Sequence, residues 1–124
     1  MSVILIVEDN VDNRELLEVI LEVNNFSVLS EADGENGVRA TVKHRPDLIL
    51  MDINMPGING FETLALLRAE ETTKTIPVVA VTGNATLVDR EEMVAAGFDR
   101  IVTKPFGIDE ILSAIAETLE VSGS

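Results

Sequence analysis

The chain has no cysteine, tryptophan or tyrosine, only 1 histidine, and just 9 Lys and Arg against 22 Asp and Glu. Without Cys there is no disulfide, no zinc-thiolate site and no thiol nucleophile. The formal net charge of −13 opposes binding to a phosphate backbone, because that affinity comes largely from Lys and Arg displacing counterions. Direct contact with nucleic acid is therefore not expected, and most of the acids on helix surfaces serve solubility. Long apolar runs are missing as well. They reach five or six residues, whereas a membrane-spanning helix needs about twenty. No basic segment precedes the apolar start, so Met1 to Val7 reads as a strand and not as a signal peptide. A soluble cytoplasmic protein away from the membrane is the expectation. His44, between Lys43 and Arg45 at a helix end, reads as a surface residue beside the helix dipole.

What is present is enough for one core and not two: 124 residues, 46% hydrophobic and 25% charged. The folded unit is expected over residues 1–120, with Val121-Ser122-Gly123-Ser124 as a flexible tail. Val3 to Val7 is a continuous β-branched run suited to a strand covered on both faces. A helix capped by Asn10 or Asp12 follows, with Leu16, Leu17, Ile20, Leu21 and Val23 at helical spacing, and Asn24-Asn25 ends it. Phe26 to Ser30 fits an edge strand. The next helix, about Glu35 to Lys43, carries Val38 and Val42 and is closed off by Pro46.

The unbroken run Leu48 to Met51 then ends on Asp52 and passes into a turn rich in Asn, Pro and Gly. Gly60 to Glu71 reads as a helix with Leu64, Leu66 and Leu67. Pro77 to Thr82 is a fourth strand with its Pro at the start, where no ladder donor is lost. A helix with Gly97 as its C-cap leads to the fifth strand, Arg100 to Thr103, and Ile108, Ile111, Leu112, Ile115 and Leu119 form the stripe of the last helix. Strand then helix, five times, implies an α/β fold with a parallel five-stranded sheet and right-handed crossovers. The flavodoxin-like order 2-1-3-4-5, a (βα)5 three-layer sandwich, puts a crevice at the carboxyl ends of the first and third strands.

Glu8, Asp9 and Asp52 stand at those two ends. Converging carboxylates repel, and each has its proton affinity raised unless a cation shares the site. Oxygen-only ligands favour a hard divalent ion, Mg²⁺ in particular with Mn²⁺ as a substitute, which takes one or two carboxylates and leaves room for a phosphate. The expected ligands are Asp9, Asp52, the backbone carbonyl of Asn54, and Glu8 directly or through water. Thr82 and Lys104 end the fourth and fifth strands and bring a hydroxyl and an ammonium suited to phosphoryl oxygens. Together these groups make a site for phosphoryl transfer onto Asp52, which acts as the nucleophile.

The set Glu8-Asp9, Met51-Asp52, Met55-Pro56-Gly57-Ile58-Asn59-Gly60, Thr82 and Lys104-Pro105-Phe106 resembles the receiver domain of two-component response regulators over essentially the whole chain. The resemblance implies a phosphoryl group taken from a phosphohistidine on a sensor histidine kinase or a histidine phosphotransfer protein. It also implies dependence on Mg²⁺, slow self-catalysed hydrolysis and no wider enzymatic turnover, and a cis bond between Lys104 and Pro105. Because the chain ends soon after the fifth helix, a stand-alone receiver that signals by docking is expected, similar to cell-cycle and phosphorelay receivers.

By the same resemblance Asn54 and Asn84 tune phosphorylation and hydrolysis rates, and an unknown downstream partner docks on about residues 86 to 120, whose surface includes Asp89, Arg90, Glu91, Glu92 and Arg100. The kinase faces the first helix, around Asn13, Arg14 and Leu17. Where the family often carries an aromatic switch residue, this chain has Ile101. The expected switch is thus a rearrangement from Thr82 to Ala85 without a large side-chain flip at Ile101. Two other readings compete. A phosphatase of the haloacid-dehalogenase type would need an acid two residues after Asp52, where Asn54 stands; a phosphorylation-independent scaffold would dispense with the acids, Thr or Lys.

Overall fold

The computed structural model describes residues 2–83 and 86–123. The strands are β1 (Val3–Val7), β2 (Ser27–Glu31), β3 (Leu48–Asp52), β4 (Val78–Thr82) and β5 (Arg100–Thr103). Between and after them run α1 (Val11–Val23), α2 (Gly34–His44), α3 (Gly60–Ala69), α4 (Leu87–Ala96) and α5 (Ile108–Gly123). All the pairings are parallel, in the order β2-β1-β3-β4-β5, the flavodoxin-like arrangement expected from the alternation of strands and helices. β2, the least apolar strand, lies at an edge. Helix α5 continues to Gly123, into the stretch expected as a tail.

Side chains alternate across a strand, so each central strand feeds two cores. Leu5, Val7, Ile49, Met51, Val78 and Ala80 pack against Ala40, Leu64, Leu67, Met93 and Phe98, from the α2, α3 and α4 side. Ile4, Ile6, Leu48, Leu50, Val79, Val81 and Val102 pack against Leu17, Leu21, Ile111 and Ile115, from α1 and α5. This double coverage is why β3 and β4 read as unbroken apolar runs, with every residue of both strands buried.

Several helix faces differ from the sequence expectation. Leu16, Val23, Val42 and Leu66 are exposed. In α2, Val38 packs against the core as expected, and Gly37, Ala40 and Thr41 make the rest of the seam, small residues that let the helix lie close to the sheet. The expected stripes were too wide because apolar spacing alone does not say which edge of the stripe meets the sheet. Asn10, not Asp12, caps α1, its side chain accepting from the Asn13 N–H. α3 stops at Ala69, before Glu71, because the next turn is built around Thr73, whose buried hydroxyl donates to the Leu67 carbonyl at 2.6 Å.

The turn after β3 is closed by Gly60. A Cβ there would lie 2.7 Å from the Asp52 carbonyl oxygen and 2.8 Å from Ile53 Cα, and the Gly60 N–H donates to the Ile53 carbonyl at 2.8 Å. Helix α3 therefore begins directly against the peptide that carries Asp52. Its first turn is held by a reciprocal capping box between Asn59 and Glu62.

Candidate functional site

Register decides which strand-end side chains meet. Glu8 continues the alternation of Ile4 and Ile6, Asp52 that of Leu48 and Leu50, and Lys104 that of Val102; the apolar members all belong to the core on the α1 and α5 side. The three polar side chains accordingly converge. Lys104 Nζ lies 2.8 Å from Glu8 Oε1 and 3.5 Å from Asp52 Oδ2. Glu8, Asp9 and Asp52 each place a carboxylate oxygen so that the three lie within 4.8 Å of one another. Glu8 and Asp52 are buried and Asp9 is exposed, so the cluster is a pocket open on the Asp9 side.

Thr82 follows Val78 and Ala80 on the other register, whose apolar members belong to the core on the α2, α3 and α4 side. It is buried, and it lines a cavity of about 120 Å³ with Ile53, Asn54, Phe61, Asp89 and Met93. The backbone of the fourth strand also meets the site: the Lys104 N–H donates to the Thr82 carbonyl at 2.7 Å. The peptide bond between Lys104 and Pro105 is cis. The Asn54 N–H donates to Asp52 Oδ1 at 3.3 Å, which places that backbone next to the acid. Asn84 lies outside the described residues.

The electrostatics are those of carboxylates short of counter-charge. Burial first, then hydrogen bonding to Glu8 and its negative charge, push the Asp52 carboxyl from 3.8 up to about 7; Lys104 and the Asn54 N–H oppose this. For Lys104, burial disfavours the charged form, but Glu8 and Asp52 outweigh it and raise the ammonium above its ordinary 10.5. Buried Glu8 Oε1 makes no hydrogen bond and has the Lys104 ammonium as an ion-pair neighbour outside hydrogen-bonding alignment. A crowded set of oxygen donors, one of them without a hydrogen bond and one holding its proton to neutral pH, fits a hard divalent cation.

A stability prediction follows from Asp52. Its folded-state value lies above the unfolded one, so the metal-free native state binds the proton more tightly and loses stability as pH rises from about 4 to about 7. The loss is on the order of 3 kcal/mol. Urea melts in EDTA at pH 5 and pH 8 should show wild type losing that much more than Asp52→Asn. Equal losses in the two proteins would remove the strain assigned to Asp52.

Sequence reasoning missed two contacts. It aimed Lys104 at a phosphoryl oxygen and did not foresee the ion pair with Glu8. It set Asn13, Arg14 and Leu17 on a kinase-facing surface, where Leu17 is instead buried, and it did not foresee that half-buried Arg14 donates from Nη1 to the Glu8 carbonyl at 2.9 Å. The exposed apolar residues of α1 are Val11, Leu16, Val19 and Val23. Met51 and Met55 are packing residues, as expected, and His44 is exposed. No helix among the described residues is long and apolar enough to cross a membrane.

A doubly wound sheet with an acidic pocket at the ends of β1 and β3, facing a lysine after β5, defines a class of phosphoryl-accepting α/β domain. The family model described as "Response regulator receiver domain" matches residues 4–116. The chain belongs to that family, the receivers of two-component signalling.

Among curated proteins, Response regulator ArlR of Staphylococcus aureus is 34% identical over 119 residues, covering 96% of this chain and 53% of that protein. The chain thus spans about half the length of the curated relatives it matches. Among solved structures, the receiver domain of sensor histidine kinase PA1611 from Pseudomonas aeruginosa PAO1 has a TM-score of 0.89 at 34% identity, covering 96% of this chain and 98% of that one. That structure has a magnesium ion coordinated in its active site cleft. Chemotaxis protein CheY4 of Vibrio cholerae has a TM-score of 0.91 at 28% identity, covering 96% and 99% of the two chains.

Proposed function

We propose that this receiver takes a phosphoryl group onto Asp52 from a phosphohistidine of a sensor histidine kinase or histidine phosphotransfer protein, and passes the signal on by docking. The observation that carries the reading is the convergence of Glu8, Asp9, Asp52 and Lys104 at one sheet edge. In the transfer, an Asp52 carboxylate oxygen forms the new bond to phosphorus while the phosphorus–nitrogen bond of the donor breaks. The electron pair of that bond goes to the leaving imidazole, which takes up a proton from solvent. Asp9, Asp52, the Asn54 carbonyl and Glu8 would hold the divalent ion, Mg²⁺ or in its place Mn²⁺. When bound, that ion supplies counter-charge to the acids and to the phosphoryl oxygens.

Lys104 is released from Glu8 to meet a phosphoryl oxygen as a point charge, and Thr82 moves toward the phosphoryl group so that its hydroxyl donates to another oxygen. The exposed Leu16 and Val19 of α1 offer an apolar footing for the donor, and Asn54 and Asn84 set the rates of phosphorylation and hydrolysis. The work is self-directed transfer and slow loss of the group, in the cytoplasm and away from nucleic acid, rather than turnover of a substrate. Incubation with Mg²⁺ and a small acyl phosphate tests the reading: a mass gain of about 80 Da is expected. No gain from any donor would favour a phosphorylation-independent scaffold.

The output leaves through Thr82 and the loop after it toward residues 86 to 120. There Arg90, Arg100, Ile101, Ser113 and Glu117 line a groove of about 260 Å³, and Arg100 pairs with Glu117 at 2.7 Å. Carrying the switch from 1:99 to 99:1 takes about 5.5 kcal/mol, within reach of a few charge-assisted hydrogen bonds. Ile101 is half-buried against the core and has no ring to swing, so the loop carries the change. Phosphorylated Thr82→Ala should bind its partner at least about tenfold more weakly than phosphorylated wild type, roughly 1.4 kcal/mol, by calorimetric titration. Equal affinities would take Thr82 out of the output route.

A further inference from the structure

Asp9 is the exposed acid of the cluster, and its side chain makes no hydrogen bond or ion pair among the described residues. Asp52 is steadied by the Asn54 N–H, and Glu8 Oε2 by the Asn10 N–H at 3.2 Å. The direction of Asp9 must therefore come from its backbone, starting with the peptide that joins it to Glu8. The N–H on the strand side of Glu8 is fixed by the ladder, donating to the Glu31 carbonyl at 3.0 Å. The Glu8 carbonyl, which belongs to the Glu8–Asp9 peptide itself, accepts from Arg14 Nη1 at 2.9 Å.

We infer that Arg14 is a positioning residue: by holding the Glu8 carbonyl from the first turns of α1, it fixes the peptide plane that aims the Asp9 carboxylate into the acidic pocket. Its half-buried side chain spans from helix to strand end, and the donor is charged, which makes the bond to a neutral carbonyl stronger than an ordinary one. The inference rests on reading the pocket as a divalent-ion site, and it concerns the outer support of a ligand rather than the ligand itself.

The sign of the effect separates this role from simple electrostatics. Removing a cation beside an acidic cluster would by charge alone tighten Mg²⁺ binding; removing a support for Asp9 weakens it. Calorimetric titration of the full chain with Mg²⁺ should show Arg14→Met binding about tenfold more weakly than wild type, with Arg14→Lys between the two. Amide exchange at Asp9 in the metal-free protein should be faster in Arg14→Met while the helical circular dichroism is unchanged. Mg²⁺ binding by Arg14→Met that is equal to or tighter than wild type overturns the role of Arg14 and leaves the ion site standing. A wild-type chain that takes up no Mg²⁺ overturns the ion site, and the inference with it.

Discussion

Asp52→Asn should abolish the mass gain of about 80 Da from an acyl phosphate in Mg²⁺, with the rate of phosphorylation falling by at least about 10⁴-fold, the scale of losing a nucleophile. The carboxamide keeps the shape of the side chain but has no anionic oxygen to attack phosphorus. It also removes one of the three acids whose oxygens lie within 4.8 Å of one another, and with it the cost of keeping Asp52 ionised in a buried site. The variant should therefore be inactive as an acceptor yet more stable than wild type when metal-free at pH 8. This pairing is specific to a strained acceptor, since an inactive variant that merely misfolds would be less stable. Intact-mass spectrometry reads the first effect and urea melts the second. A full 80 Da adduct on Asp52→Asn would move the acceptor to another residue.

Lys104→Met should be damaged in both respects. Glu8 and Asp52, whose side chains are 2% and 6% exposed, lose the ammonium that lies 2.8 and 3.5 Å from them. Removing one partner from a buried ion pair costs about 3–5 kcal/mol. The loss should be smaller at pH 6 than at pH 8, because Asp52, already raised to about 7, takes up a proton more readily without its cation. Added Mg²⁺ should restore part of the stability, since it supplies charge to the same acids. Phosphorylation should not be rescued to the same extent and should stay slower by about 10² to 10³, the usual effect of removing a group that stabilises transition-state charge. A variant phosphorylated at the wild-type rate would confine Lys104 to holding the acids together.

Much of this was legible in the sequence because parallel strands announce themselves. β1, β3 and β4 are buried on both faces, so their residues are apolar without interruption, and the first polar residue after each run marks a strand end. Glu8, Asp52 and Thr82 were found in that way. The second strand was displaced by one residue, Phe26 to Ser30 against an observed Ser27–Glu31. Its mixed composition gives no sharp boundary, and its register is set by the ladder to β1. The exposed Leu16, Val42 and Leu66 were assigned to stripes for a related reason: helix spacing fixes a face, while the angle at which that face meets the sheet depends on the neighbouring elements.

The amino-acid sequence by itself determined the order of the elements, the double coverage of the sheet and the residue types at the strand ends, since each rests on local periodicity and on the chemistry of single residues. Tertiary structure decided the rest through register and close approach. Alternation along β3 and β5 puts Asp52 and Lys104 on one side of the sheet, and alternation along β4 puts Thr82 on the other. Packing of α1 against the end of β1 brings the half-buried Arg14 guanidinium to the Glu8 carbonyl. Burial of Asp52 beside Glu8, from strands far apart in the chain, is what raises its proton affinity to about 7.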